Sequence, residues 1–467
     1  MRVRLLGQYF QSSIVALVGL EGAAFAASLY LAALLRFGGS LASLEEESGS
    51  LWLRALVYGV VTLVSFLSLG LYTPRQRANA AGISLRIVLG LIASFAVVAI
   101  LFYLLPDFAI GRGILGIAVC LSLLLSVLIR SVFARLVDTQ TFKRQILVYG
   151  YGSRVQAFTR LRRRSDRRGY NLVGFVCPPG ESLAVNPEEL LSAPQGLKAL
   201  CEERGIEEVV VALEDRRQNL PVRELMQCRL AGINVVDFIA FMEQETGRIY
   251  LDALNPSWLI FGHGFRRDAL RRLTSRGLDF VASLVLVAVT APILLATALL
   301  IYLDDGRQGG GVLYRQARVG LNGQVFDVLK FRSMRPDAEA AGSPQWATPN
   351  DPRVTRIGAF IRKVRIDELP QLLNVLRGDM SFVGPRPERP QFVAQLEEKI
   401  PYYAQRHSVK PGITGWAQLC YPYGASEEDA IQKLQYDLYY VKNNSLLFDL
   451  AILVQTAEVI FMGKGAR

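Results

Sequence analysis

The chain has 467 residues, 51% of them apolar, a formal net charge of +11 and a mean hydropathy of +0.27. It is too long for one ordinary domain and too apolar for a wholly soluble protein, so membrane segments are sought before any fold is named. The positive residues flank apolar segments and phosphate-type motifs, and no nucleic-acid-binding motif is present, so nucleic acid is not expected as a partner.

Four apolar stretches open the chain: Ser12 to Phe37, Leu51 to Tyr72, Ile87 to Leu105 and Ile114 to Leu136. Each has the roughly 19 or more residues needed to cross a hydrocarbon core of about 30 Å, although long buried helices of a soluble bundle share that length. Arg2 and Arg4 precede the first, Arg75, Arg77 and Arg86 lie between the second and third, and Arg135, Lys143 and Arg144 follow the fourth. The first loop, GGSLASLEEESGS, carries only acidic charge, and the third, PDFAIGR, a single Arg112. The positive-inside rule then places the N-terminus and everything after residue 137 in the cytoplasm. No cleavage site of the signal-peptide type is found, so the first segment is expected to stay as an anchor. Cys120 sits in a membrane segment, while Cys177, Cys201, Cys228 and Cys420 are scattered without C-x-x-C spacing. With only His263 and His407 besides, neither a zinc site nor a disulfide framework is indicated.

Residues 141–262 alternate strand and helix patterns: RQILVYGYGS, NLVGFV, EEVVVAL and INVVDF read as strands, with helices near GLKALCEERG and VRELMQCRLAG. A parallel, Rossmann-like sheet follows. Its turn Gly150-Tyr151-Gly152-Ser153-Arg154-Val155 is a degenerate dinucleotide fingerprint, with Val155 where a third Gly or Ala belongs. Such a turn can hold a phosphate, and it equally needs glycines for steric reasons alone. No Tyr has Lys four residues on, which argues against a Tyr-x-x-x-Lys oxidoreductase. The run RLRRRSDRR (160–168) reads as a solvated basic face, or as one lying against anionic lipid.

A fifth apolar stretch, 277–303, follows Arg266, Arg267, Arg271, Arg272 and Arg276. Charge alone favours a full crossing. Pro292 in its middle and the basic sequence beyond Asp305 favour a helix-break-helix hairpin that returns to the cytoplasmic face. From Gly310 onward, motifs place cations beside Gly or Pro turns: QARVG (316–320), LKFRSM (329–334), DPRVTRIG (351–358) and KPGITGW (410–416). Guanidinium forks and closely approaching backbone amides suit phosphate oxygens.

In RIDELPQLLNVLRGDMSFVGPRP (365–387), Leu369, Leu372, Leu373 and Leu376 repeat with helical spacing, and Gly378 is placed to end the helix. Asp367 then falls near the N-cap, with Glu368 and Pro370 in the first turn. The helix dipole and Arg362, Lys363 and Arg365 are expected to keep Asp367 ionised. Such a carboxylate can attack phosphorus or hold Mg²⁺, and an Asp at this place can also simply cap the helix. The final apolar helix, SLLFDLAILVQTAEVIFMG, is interrupted by Asp449, Gln455 and Glu458 and is expected to lie in the membrane interface.

This stretch, with YRQARVG, KFRSM and KPGITGWAQ, resembles the bacterial polyprenyl-phosphate sugar-1-phosphate transferases, the monotopic phosphoglycosyl transferases that begin exopolysaccharide and O-antigen synthesis. The match covers about residues 264 to 467. The four N-terminal spans and a middle region resembling a CoA-binding-like module fit the family's long form, and the ending GKGAR is similar to its exopolysaccharide-associated members.

The resemblance implies a membrane protein of three parts. Residues 1–140 form a four-helix transmembrane bundle, 141–262 a Rossmann-like α/β domain, and 263–467 a mainly helical monotopic catalytic domain with a re-entrant hairpin at 277–303. It further implies transfer of sugar-1-phosphate from a UDP-sugar to undecaprenyl phosphate with Mg²⁺, on the cytoplasmic face of the bacterial inner membrane. Asp367 is then the nucleophile, forming a phosphosugar-aspartyl intermediate and releasing UMP. Glu368 assists, by accepting a proton or helping to hold the metal. Arg362 is implied to hold the lipid phosphate, and Pro385, Arg386, Pro387 and Glu388 to form part of the nucleotide-sugar site. Lys330 and Arg332 would line the phosphate pocket, supported by Gln316 and Arg318. Family analogy also allows a homodimer through the middle domain. Two other functions remain open: an inactive scaffold of polysaccharide assembly, and a glycosyltransferase that releases UDP.

Overall fold

A computed structural model describes residues 2–5, 8–37, 51–72, 80–105, 111–137, 143–159, 170–178, 189–214, 220–254, 269–304, 311–335, 353–422, 424 and 426–461. The chain divides into two compact units, Met1–Thr246 and Gly247–Arg467.

The first unit opens with an antiparallel hairpin of β1 (Arg2–Leu5) and β2 (Gln8–Gln11), which the sequence reading did not anticipate. Four helices follow: α1 (Ser12–Arg36), α2 (Leu51–Ser68), α3 (Ala80–Leu104) and α4 (Arg112–Val137). All four are long and apolar enough to cross a membrane. They share a core containing Phe25, Leu29, Tyr58, Phe66, Leu91, Val98 and Ala118, while Leu20, Trp52, Ile92 and Leu124 point outward. Apolar side chains on both the inner and outer surfaces are what lipid as solvent requires.

Polar groups inside this bundle pair with one another. Glu21, fully buried, accepts a forked contact from Arg130 (Nε to Oε1 2.7 Å, Nη2 to Oε2 2.8 Å). Tyr72 and Ser126 donate to the same carboxylate at 2.6 and 2.9 Å. Ser28 and Tyr58 each meet the Ser122 hydroxyl, at 2.7 and 2.9 Å, and Thr62 meets Ser94 at 2.7 Å. Hydrogen bonds of this kind fix which residues face each other where packing between apolar surfaces does not discriminate.

The same unit continues with β3 (Arg144–Gly150), α5 (Ser153–Thr159), β4 (Tyr170–Val176), α6 (Leu197–Arg204), β5 (Glu208–Ala212), α7 (Val222–Leu230), β6 (Asn234–Asp237) and α8 (Phe238–Thr246). The strands pair in parallel in the order β4-β3-β5-β6. The expected helix–strand alternation is thus observed, and buried runs such as Val209 to Ala212 reflect a sheet covered on both faces. At the glycine turn, Ser153 donates through its amide (2.6 Å) and hydroxyl (2.7 Å) to Glu214 Oε1. Those bonds hold the Glu214 carboxyl below its usual range. Gly152 has φ 74°, and a Cβ there would lie 2.3 Å from Glu214 Oε1. The turn therefore seats a carboxylate of the chain itself. The basic run 160–168 lies outside the described residues.

The compact division falls at Thr246/Gly247, because described residues beyond it, such as Gly247 and Ile249, pack on the second unit. Trp416 Nε1 donates to Gly247 O at 2.8 Å, and Ile249 N to Gln435 O at 3.0 Å. Residues 255–268 lie outside the described residues.

The second unit begins with α9 (Ala269–Asp304). The expected break at Pro292 is not seen, for the helix runs unbroken through it. A proline withdraws one donor and leaves the other helical hydrogen bonds in place, and Thr290 Oγ1 donates to Leu286 O in the preceding turn at 2.6 Å. Both arms nevertheless meet one domain. Ala282 and Val287 pack on the core around Leu372 and Val375, whereas Leu294, Ala298 and Ile301 pack with Phe331 and Ile361. A straight rod would carry Ile301 about 33 Å beyond Asp279 at 1.5 Å per residue.

The remaining elements are the antiparallel pair β7 (Leu313–Val319) and β8 (Val325–Phe331), α10 (Arg356–Lys363), α11 (Gln371–Arg377), β9 (Ser381–Val383), α12 (Pro390–Lys399), β10 (Gly412–Thr414), α13 (Trp416–Cys420), α14 (Glu427–Asn443) and α15 (Leu446–Phe461). β9 and β10 pair in parallel. In α15, Asp449 does not face water: it is buried and accepts from Tyr440 OH at 2.8 Å, and Ile452 is fully enclosed. Its break in the apolar run thus answers an internal donor.

Replacing Glu21 with Ala leaves the Arg130 guanidinium uncompensated inside the bundle. We expect a loss of about 3–5 kcal/mol, the usual cost of breaking a buried pair from one side. Thermal unfolding in detergent checks this, and an unchanged melting temperature would contradict the pairing.

Candidate active site

The site grows from the link between α10 and α11. Thr355 Oγ1 accepts from Gly358 N at 2.9 Å and caps α10. A Cβ on Gly358 would lie 2.0 Å from Ser333 O, so the glycine of TRIG is required by the close approach of α10 to the end of KFRSM. After α10 the chain passes through Arg365, a non-glycine in the left-handed region (φ 61°), into a 3₁₀ turn, Ile366–Glu368. The residue preceding α11 is Pro370, with no side-chain cap, so Asp367 does not cap the helix as the spacing predicted. The extra turn also shifts the phase of α11. Leu372 and Val375 face inward, Leu373 is 38% exposed, and Asn374 is fully buried. Gly378 (φ 97°) ends α11 as expected.

Asn374 fastens this helix to β8. Its Oδ1 accepts from Leu329 N at 3.0 Å and its Nδ2 donates to Asp327 O at 2.8 Å. From the other side Arg276 of α9 donates to Val375 O and Leu376 O, both at 2.5 Å. Asp279 of the same helix accepts from Ser381 Oγ and Phe382 N, both at 3.0 Å. The apolar helix α9, the carboxylate turn and β9 are thereby joined through hydrogen bonds.

The two adjacent carboxylates occupy different environments. Glu368 Oε1 meets Lys330 Nζ and Arg386 Nη2, each at 3.2 Å, and Oε2 meets Arg365 Nη1 at 3.9 Å. Burial opposes its charge, yet Arg386, Lys330 and Arg365 outweigh that and hold the carboxyl down at about 2. Asp367 is 9% exposed, and its Oδ1 is buried without a hydrogen-bond partner. Burial and the Glu368 charge push its carboxyl above the usual range, with Lys330, Arg362 and Arg365 pulling back only in part. Of the cations expected to keep Asp367 ionised, Arg362 and Arg365 do favour its charge, but burial and Glu368 outweigh them, and the direct contact of Arg365 is with Glu368. Burial pulls the Lys330 ammonium downward, and Glu368 restrains that fall.

Arg386 reaches this cluster from the turn 385–388, whose four consecutive carbonyls are all held. Gly412 N donates to Pro385 O (3.0 Å), Arg406 Nη2 to Arg386 O (3.0 Å), Arg318 Nη1 to Pro387 O (3.0 Å) and Val319 N to Glu388 O (2.9 Å). Arg318 also meets Glu388 Oε2 at 3.4 Å and donates to Gln316 Oε1 at 2.6 and 3.1 Å. Gln316, Arg318 and Glu388 are accordingly a bracket for the Pro-Arg-Pro turn. A cleft beside it is lined by Val319, Pro385, Arg386, Pro387, His407 and Pro411. Arg332, two residues beyond Lys330, has a buried Nη1 without a hydrogen-bond partner. Arg362 is half-buried and acts on Asp367 through its charge.

The structure thus brings together Asp367, Glu368, Lys330 and Arg386 by direct contact or adjacency, with Arg362 near enough to be felt. Asn374, Arg276, Asp279, Arg406 and Asp437 were missed. A polar residue inside an apolar helical face was a usable signal for Asn374 and Asp279. No local pattern signals the Arg406–Asp437 ion pair, which joins residues 31 positions apart (437 − 406) at 2.8 Å. Among the described residues no group of three or more His, Cys, Asp or Glu is placed to hold a metal. The fit to Mg²⁺ therefore rests on the orphaned Asp367 Oδ1, since this ion commonly takes one or two carboxylates and completes its shell with water and substrate phosphates. Glu368, expected as a second ligand, has its oxygens facing cations.

A bacterial sugar transferase family model matches residues 270–463. The chain is 43% identical over 245 residues to a UDP-N-acetylgalactosamine-undecaprenyl-phosphate N-acetylgalactosaminephosphotransferase of Aeromonas hydrophila, covering 52% of this chain and 56% of the relative. It is 35% identical over 336 residues to an undecaprenyl-phosphate glucose phosphotransferase of Komagataeibacter xylinus, covering 70% and 61%. It is also 44% identical over 196 residues to the exopolysaccharide production protein PSS of Rhizobium leguminosarum bv. phaseoli, covering 41% of this chain and 96% of that one. The chain thus spans under two thirds of the first two relatives and nearly all of the third. The chain belongs to the bacterial sugar transferase family.

Proposed function

We propose that the protein transfers a sugar-1-phosphate from a UDP-sugar to undecaprenyl phosphate and releases UMP, priming exopolysaccharide or O-antigen synthesis. The observation that carries this reading is the asymmetry of the carboxylate pair: Glu368 is neutralised by three cations, while Asp367 keeps a buried oxygen without a partner. The names of the relatives support the substrate classes.

The Asp367 carboxylate attacks the β-phosphorus through Oδ2, which leaves the orphaned Oδ1 as the candidate metal ligand; the bond from that phosphorus to the bridging oxygen breaks, and UMP leaves with that oxygen. A phosphate oxygen of the lipid then attacks the same phosphorus and releases the Asp367 carboxylate. Splitting the displacement in two means that the two anionic substrates need not react directly. Lys330, Arg332 and Arg386 bind phosphate oxygens, and Arg362 meets the lipid phosphate. Glu368, strongly acidic and held by cations, orients Lys330 and Arg386 and is a poor proton acceptor. Mg²⁺ bound at Asp367 Oδ1 would neutralise charge on the diphosphate oxygens. Helix α9, continuous through Pro292 and kinked there rather than broken, acts as a re-entrant element that returns to the face it enters. Contact of both its arms with one domain supports that topology, as do the basic flanks of the segment, and the domain then works at the cytoplasmic face of the inner membrane.

With undecaprenyl phosphate, Mg²⁺ and a panel of UDP-sugars, the purified protein should release UMP from at least one donor. UDP would indicate a glycosyltransferase, and no nucleotide from any donor would indicate a scaffold. Asp367→Asn should lower turnover by about 10³-fold or more with the melting temperature kept, since a lost nucleophile removes the covalent route.

The acid limb of the pH–rate profile tests the electrostatics. Asp367 must be ionised to attack, so turnover falls as pH drops through its raised pKa, which lies above the ordinary aspartate value of about 3.9. Glu368→Gln removes a like charge and releases cations toward Asp367. Its acid limb should therefore move to lower pH, even as kcat falls, and a shift to higher pH would contradict the assignment.

A further inference from the structure

Beneath the Pro-Arg-Pro turn lies a buried ion pair that the mechanism above does not use. Arg406, in the 3₁₀ segment Tyr403–Ser408, is 5% exposed and faces Asp437 of α14, 2% exposed, at 2.8 Å. The same guanidinium donates to Tyr403 OH at 2.7 Å and lies 5.1 Å from the centre of that ring. Burying two charges forfeits their hydration, so such a pair is weak evidence for stability and its use must be sought in what it holds. What it holds is Arg386 O, at 3.0 Å. The side chain of that same Arg386 reaches Glu368 at 3.2 Å.

We propose that Arg406, fixed by Asp437, is a positioning residue that aims Arg386 at the carboxylate pair. The proposal rests on the phosphosugar-transfer reading for its catalytic consequence. Planarity is the reason an arginine is used. One planar guanidinium hydrogen-bonds the Tyr403 phenol and the Arg386 carbonyl while ion-paired with Asp437, whereas a lysine ammonium has no fixed fork. Three of the four carbonyl contacts in the turn come from neighbouring strand amides and Arg318, which brace its ends. Arg406 grips the carbonyl of Arg386 itself, the residue that carries the functional side chain, while Gly412 N holds the carbonyl before it.

The test is a double-mutant cycle on UMP release by the full-length protein, with R406K, R386A and the pair. R406K should lower kcat on the order of 10- to 100-fold, the cost of a small misplacement, with a smaller change in the KM for the donor. In the R386A background it should change kcat by no more than about two-fold, because Arg386 is then no longer there to aim. Multiplying effects would mean that Arg406 acts on the fold at large, and would overturn the proposal. If R406K does not fold, Asp437→Asn takes its place in the cycle, and failure of both to fold would assign the pair a structural role instead.

Hydrogen exchange supplies a readout that needs no turnover. R406K should speed exchange at the amides of Gly412 and Val319, which donate to Pro385 O and Glu388 O on either side of the gripped carbonyl, while leaving α11 unchanged, and unaltered exchange at those two amides would overturn the proposal. A wild type that releases no UMP would defeat the transferase reading, while the exchange result would still decide the positioning role.

Discussion

Two adjacent carboxylates cannot both be buried and charged without cations close at hand, and the second unit is organised by that constraint. A desolvated carboxylate persists only where partners replace water. Glu368 recruits Lys330 from β8, Arg386 from the turn 385–388, and Arg365 from the strained end of α10. These three pieces are distant in sequence, and their convergence fixes where β8, the Pro-Arg-Pro turn and the 3₁₀ turn lie relative to one another. Asp367 is left with what remains of the field, which is why its carboxyl rises while that of its neighbour falls.

The same rule governs the apolar helices. Glu21 is met by Arg130, Tyr72 and Ser126, and Asp279 by Ser381 and Phe382. These charged groups in apolar stretches mark contacts between elements, whereas hydroxyls such as Thr290 bond back to their own helix. The Asp279 contact has a further consequence for the site. β9 leads through Gly384 directly into Pro385 and Arg386, so the apolar helix is bonded to the strand that delivers a phosphate-binding candidate.

In the parallel-sheet region the rule takes a third form. The amide and hydroxyl at the start of α5 are positioned as an anion seat, and Glu214 of the same chain fills it. A glycine pattern read as a nucleotide fingerprint thus also satisfies a purely internal demand. Family membership is consistent with this division of labour, since the matched family model begins only at residue 270.

Local pattern was enough for much of this molecule. Apolar runs of spanning length defined four helices, strand–helix alternation defined the parallel sheet, and Gly378 marked the end of α11, because each signal acts over one or two turns of chain. Ordered motifs also pointed to the Asp367–Glu368 pair and its cations through resemblance. Tertiary structure alone decided the rest. It placed Asp367 in a 3₁₀ turn rather than at a cap and carried the helical backbone of α9 through Pro292. It also turned Gln316, Arg318 and Glu388 into a bracket and joined Arg406 to Asp437. Charge pairing, burial and backbone approach depend on distances through space between segments far apart in sequence, and periodicity within a segment holds no record of them.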